Sequence, residues 1–381
     1  MASSLTSRER ILRTVRGEPV DRVPIFSPVS WSPFWRISGE EPEWASDPNY
    51  VPVRKLCDEY CDSFAGAAGT GGVFDRRFLL VPTDFIEHMP EQVQGRRHRR
   101  LTVVHTPKGD LRTVEEWDEG VRTTWYTEPL VKTTKDAERI LSVPYRFDKP
   151  DVSAFSEYRD KIGGSALTQL GVSTPLVCVS RLLQFEQFLE WCVAEFDLVD
   201  LLVRTVQERI HERLSWLLEQ GIGPVVWFGG SEQATPPIMS PALYDALVVR
   251  YDKPLFDLVH KHGGIVHVHC HGKVSGILGK LVEMGADMLD PVEPPPQGDV
   301  EMGEAKRLVR GRITLMGNIE FCDLEFATPD EIEEKVKHAV LDGGKAHTIL
   351  YPSATGHETV SERYRDNAIR YIEAGLKYGR F

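Results

Sequence analysis

Eight short apolar stretches, centred near residues 25, 64, 168, 226, 267, 289, 315 and 349, are each followed by helical or inserted sequence. Strands separated by helices pair in parallel, because a parallel neighbour needs a crossover long enough to hold a helix. Eight βα units predict an α/β chain closed into a (β/α)8 TIM barrel, ahead of an open doubly wound sheet. The whole chain, 1–381, is then one barrel domain. Helix starts are legible: Thr6-Ser-Arg-Glu9 and Thr328-Pro-Asp-Glu331 are capping boxes, and Ser240-Pro241 is an N-cap followed by a first-turn proline.

Residues 71–131 break the alternation. Arg99 to Val114 reads as a hairpin around Lys108-Gly-Asp110, and Val121 to Thr127 as another β run, so this segment is expected to be a β-rich insertion near the barrel entrance. Within it, Arg96-Arg-His-Arg-Arg100 is the one strongly basic cluster. Docking of an acidic group and a charge-protected edge strand both fit it, and the second is favoured.

The stretch Gly264-Ile-Val-His-Val-His-Cys-His-Gly272 concentrates the chemistry. Its alternation puts His267, His269 and His271 on one face and turns Cys270 to the other. Each imidazole has two ring nitrogens that need partners, which either core hydrogen bonds or a metal ion supply. For the His269/His271 pair at the strand's C-terminal end, a metal or substrate role is favoured. In a barrel, functional groups sit at such ends. The others carry Glu232, Asp290, Glu293, Asn318, Glu320, Ser353, Thr355 and His357. Asn318 either orients a ligand or ties down a loop. After the first strand come Trp31, Phe34, Trp35 and Arg36, which serve as lid packing or as the wall of a pocket. No Gly-x-Ser-x-Gly elbow and no His-Glu-x-x-His helix occurs.

Composition narrows the partners. A formal charge of −12 and a pI near 5.5 argue against nucleic acid and anionic membranes. No apolar run reaches membrane-spanning length and no signal-peptide core opens the chain, so a cytoplasmic location is expected. Six cysteines over 381 residues are no disulfide scaffold.

Four segments carry a resemblance: Arg8-Glu-Arg-Ile-Leu-Arg-Thr-Val-Arg-Gly-Glu-Pro-Val-Asp-Arg-Val-Pro24, His269-Cys-His-Gly272, Met316-Gly-Asn-Ile319, and the last strand and helix. They resemble the uroporphyrinogen decarboxylase superfamily, which also holds zinc-dependent, cobalamin-linked methyltransferases. The decarboxylases have Arg-x-x-Gly-Arg after the first strand, where this chain has Ser30 to Gly39 with Arg36 alone, so a true porphyrinogen decarboxylase is not expected. The methyltransferases carry His-x-Cys-Gly and a late Cys as zinc ligands. Here His271 stands in place of the first Cys, and Ser353 to Thr355 contain no late one.

The resemblance implies a zinc site on His269 and His271 with Glu293 as third ligand, Glu232 and His357 being alternatives. Glu232 and Asn318 are expected as catalytic groups, and Trp31, Phe34, Trp35, Arg36, Trp227 and His357 as substrate contacts. A His/carboxylate site leaves more positive charge on zinc than a thiolate site and makes it a better Lewis acid toward oxygen. The implied reaction moves a methyl group between a small substrate, a methyl ether for example, and a corrinoid cofactor. No Asp-x-His-x-x-Gly corrinoid motif is present, so the corrinoid belongs to a separate protein. A homodimer is left open. A decarboxylase or lyase acting on a carboxylic acid, and a non-catalytic ligand-binding barrel, are the alternatives.

Overall fold

The computed structural model describes residues 5–39, 41–121, 123–354 and 360–380, apart from the side chains of Arg36 and Ile37. Its frame is a curled sheet of seven parallel strands: β1 (Phe64–Gly66), β7 (Leu167–Ser173), β8 (Val225–Gly229), β9 (Ile265–His269), β10 (Met288–Val292), β11 (Thr314–Ile319) and β12 (Thr348–Pro352), neighbours in that order. Helices fill the connections, among them Phe196–Glu219, Arg250–Lys261 and Pro329–Gly343, and Glu362–Gly379 follows β12.

The eighth expected strand, near residue 25, is reduced to two residues. Ile25 and Phe26 make isolated parallel bridges to Leu350 and Asp62, so they stand between the edge strands β12 and β1. Phe26 N donates to Leu350 O at 3.0 Å, and Asp62 N donates to Ile25 O at 2.7 Å. Pro24 and Pro28 flank this segment and carry no N–H, which limits how far a ladder can run.

Strand alternation sorts the core into two faces. Leu167, Val225, Met288, Met316 and Ile349 meet Phe26 inside the curve. Their neighbours Leu170, Val172, Val226, Phe228, Val266, Val268, Leu289 and Leu315 pack against the helices. Each fully buried Leu, Ile, Val, Phe or Met side chain contributes roughly 1.5–3 kcal/mol. The first helix, Ser7–Val15, starts at the expected Thr6/Glu9 capping box, and Thr328/Glu331 caps Pro329–Gly343 in the same way.

Five strands form a second, antiparallel sheet: β2 (Ile86–His88), β3 (Gln92–Gln94), β4 (Arg97–Val104), β5 (Leu111–Asp118) and β6 (Thr124–Glu128). The basic run lies on β4, which is flanked on both sides and is not an edge. Acids opposite it absorb its charge: Arg97 pairs with Asp118 and Glu116, and Arg100 Nη2 lies 3.4 Å from Glu91 Oε2.

Candidate active site

β9 delivers its histidines as the alternation requires. Val266, Val268 and Cys270 join the helix-side core, while His267, His269 and His271 meet acids carried by β8, β10 and the loops that follow them. His267 is buried, with Nδ1 2.7 Å from Gln169 Nε2 and Nε2 2.7 Å from Asp290 Oδ1. It is a core histidine whose Nδ1 is hydrogen-bonded and whose Nε2 meets Asp290 at ion-pair distance outside hydrogen-bond geometry. His269 and His271 are closer to the surface, their rings edge-to-face with centroids 4.6 Å apart.

Both of these use Nδ1 on a carboxylate: His269 on Asp290 Oδ2 at 3.0 Å, His271 on Glu293 Oε1 at 2.8 Å. Such pairing fixes ring orientation and commits Nε2 to whatever lies on the other side. His269 Nε2 lies 4.0 Å from Glu232 Oε1. Glu232 occupies a tight turn directly after β8, and Gly230, at φ +59°, makes that turn possible. The positive φ at Gly230 favours glycine, and a Cβ there would displace the Glu232 carboxylate, which lies 2.1 Å from where it would sit.

Electrostatics follow from these pairs. Burial alone would raise the Asp290 carboxyl, but His267 and His269 outweigh it and hold it well below the usual range. Burial raises Glu293 too, and its bonds to His271 and to the Gly272 N–H bring it down instead. Burial lowers His271, and the Glu293 carboxylate more than reverses this. Trp227 Nε1 donates to Asp290 Oδ1 at 3.3 Å, and Asp290 also adds to the burial that pushes the Tyr351 phenol up.

Several expected placements change. Glu293, expected as the third metal ligand, spends Oε1 on His271 and Oε2 on the Gly272 N–H at 2.5 Å. It therefore orients an imidazole. Among the described residues, no group of three His, Cys, Asp or Glu side chains is spaced to hold an ion. By donor type the fit is better: two carboxylate-oriented imidazoles stand beside Glu232. Asn318, expected as catalytic, is buried and donates Nδ2 to Val292 O at 2.9 Å and Val300 O at 3.4 Å, so it ties the loop after β10.

Of the aromatic group, Trp31 lines a cavity of about 200 Å³ together with Trp227, His267 and Asp290. Phe34 packs instead on Tyr158 and Trp35 on Trp44, with centroids 5.1 and 5.5 Å apart. The helix Pro33–Ser38 turns them away from the cavity. The side chain of Arg36, Thr355 and His357 lie outside the described residues. Sequence reasoning passed over Gln169 and Tyr351, which line the same cavity without any local motif. It also gave no partner to Glu320, which is buried and accepts from Ser353 Oγ at 2.9 Å.

A family model described as Uroporphyrinogen decarboxylase (URO-D) matches residues 122–378. The chain belongs to the URO-D family. Within that family it is similar to Methylcobamide:CoM methyltransferase MtaA of Methanosarcina barkeri, 24% identical over 194 residues, which are 51% of this chain and 54% of that protein. The match thus spans about half the length of that curated relative. A solved methyltransferase from Methanosarcina mazei shares the fold, with a TM-score of 0.60 at 17% identity over 98% of this chain and 99% of that one. The similarities favour the methyltransferase branch of the family. Among the described residues, no helix is long and apolar enough to cross a membrane.

Proposed function

We propose that the chain is a methyltransferase that moves a methyl group between a small substrate and a corrinoid held by a separate protein. The observation that carries this reading is the pair His269/His271, each oriented by a carboxylate at Nδ1, at the end of β9 beside an aromatic-lined cavity. The resemblance to MtaA supports the corrinoid part. Among the described residues no Lys or Arg lines the cavity, which disfavours a decarboxylase that must grip an acid there.

His269 and His271 would hold a zinc ion through Nε2, with Glu232 as the nearest acid to complete the set. When bound, the ion supplies positive charge that stabilises a lone pair developing on the atom that loses the methyl group. The remaining roles fall to the chain itself. Asp290 and Glu293 fix the two imidazoles, Gly230 positions Glu232, and Asn318 holds the loop after β10. Trp31, Trp227, Phe64 and Tyr351 exclude water from the bound substrate.

We read the architecture as a (β/α)8 barrel whose first strand is shortened to Ile25–Phe26, in one domain with residues 71–131 as an insertion. Six unpaired thiols suit a reducing, cytoplasmic location. The test combines methyl transfer to cob(I)alamin from a panel of methyl donors with elemental analysis. The expected result is transfer, with metal lost in His269→Ala and kept in Cys270→Ser. Transfer from no donor, or metal lost only in Cys270→Ser, overturns the reading.

A further inference from the structure

Aromatic rings make up much of the wall of the cavity beside β9. Phe26, Trp31, Phe64, Trp227 and Tyr351 surround it, and all but Phe26 keep part of their surface exposed although they lie on the inner side of the sheet. The rings brace one another: Phe26 meets Phe64 at 5.1 Å and Tyr351 at 5.6 Å, and Phe64 meets His267 at 5.3 Å. Both indole N–H groups are already committed, Trp31 to Asp58 at 2.9 Å and Trp227 to Asp290 at 3.3 Å. What these two offer a ligand is ring surface.

The charged groups on the lining are Asp62 and Asp290, beside His267 and neutral Gln169, Ser27 and Ser63. Asp62 is matched by Arg10 at 2.7 Å and Arg22 at 2.8 Å, both outside this cavity. Asp290 is held by imidazoles and an indole, without a Lys or Arg among the described residues. An anion would face carboxylates and the negative faces of aromatic rings. A wholly apolar ligand would meet the rings alone and gain nothing from the carboxylate. A cation gains from both the rings and the carboxylate.

We propose that the substrate is a small methylated onium, an ammonium carrying two or more methyl groups, whose head group sits in this aromatic cavity. The proposal rests on the methyl-transfer reading and replaces its ether substrate with a cationic one. A cationic nitrogen is already an activated leaving group. Its C–N bond breaks with the electron pair left on nitrogen, the amine departs neutral, and the methyl carbon takes a new pair from the reduced corrinoid, Co(I) becoming Co(III). No proton moves. About 200 Å³ suits a head group of a few carbons and is far too small for a tetrapyrrole.

The experiment is calorimetric titration of the full chain, without corrinoid, with choline and with its neutral carbon isostere 3,3-dimethylbutan-1-ol. The two ligands share shape and differ in charge. Choline should bind at least tenfold more tightly, and Trp227→Leu and Trp31→Leu, each checked for native circular dichroism, should cut that preference to about threefold or less. Equal or tighter binding of the neutral isostere overturns the proposal, as does a preference that survives in both variants or binding of neither ligand. Corrinoid methylation is read separately. Choline selectivity without methyl transfer would refute the enzymatic reading and leave the cation site standing, whereas transfer from anisole without onium binding would do the reverse.

Discussion

Asp290→Asn isolates the group on which the site's hydrogen bonds converge. In the folded chain the carboxylate is buried, with one oxygen against His267 Nε2 and Trp227 Nε1 and the other against His269 Nδ1. An amide keeps the shape but must turn a donor toward at least one ring N–H. A hydrogen bond to a charged group contributes about 1.5–3 kcal/mol, and breaking a buried ion pair by removing one partner costs about 3–5 kcal/mol. The two imidazole contacts share one carboxylate and are not additive, so the substitution should destabilise by about 3 kcal/mol at pH 7. The sign with pH is fixed because the folded carboxyl titrates below its unfolded value. Its contribution is present above the unfolded pKa, near 4, and is lost as pH falls through the lower folded value. Urea unfolding at pH 7 and at pH 3.5 should show the gap between wild type and variant narrowing at the lower pH. A loss under about 1 kcal/mol at neutral pH, or a gap that widens on acidification, would refute the reasoning.

Asp252 gives the opposite sign. It is buried in the helix Arg250–Lys261 with Oδ1 unpartnered among the described residues, and burial pushes its carboxyl well up. Its stabilising form is therefore fully present below the unfolded pKa and lost as pH rises through the raised folded value. Asp252→Asn should gain about 1 kcal/mol or more at pH 8, read as an upward shift of the urea midpoint, with little gain at pH 4. Asn318→Ala removes the side-chain donor to two carbonyls, Val292 O and Val300 O, at a cost of about 1–3 kcal/mol. Hydrogen exchange of residues 297–300 should quicken more than that of β11, and uniform quickening throughout the chain would count against a loop anchor.

What the sequence made legible was whatever periodicity governs. The period of two in Val266 to His271 sent Cys270 to the helices and the three imidazoles to the other side, as observed. The βα alternation likewise announced the parallel sheet. Positions governed by a local stop signal were misjudged. Ser32-Pro33 is an N-cap followed by a helix-starting proline, and the six residues Pro33–Ser38 form a helix that carries Phe34 and Trp35 onto Tyr158 and Trp44. A loop at that place would have left both free to reach the cavity.

The roles of Asp290 and Glu293 were hidden for a different reason. In a regular strand, residues three apart point to opposite faces, so these two acids could not both serve histidines on one side of β9. β10 is irregular: its register with β11 shifts between Leu289 and Val292, where Pro291 offers no N–H to the ladder. Such a shift re-aims the side chains beyond it, which is the usual effect of a bulge next to a functional site. Asp290, still in register with His269 on the β9 side, then meets His267 and His269, and Glu293 meets His271 beyond the shift. The prolines at 291 and 294–296 were visible from the start. Their effect was not, because a proline announces that the ladder is interrupted without saying toward which face the next carboxylate will turn.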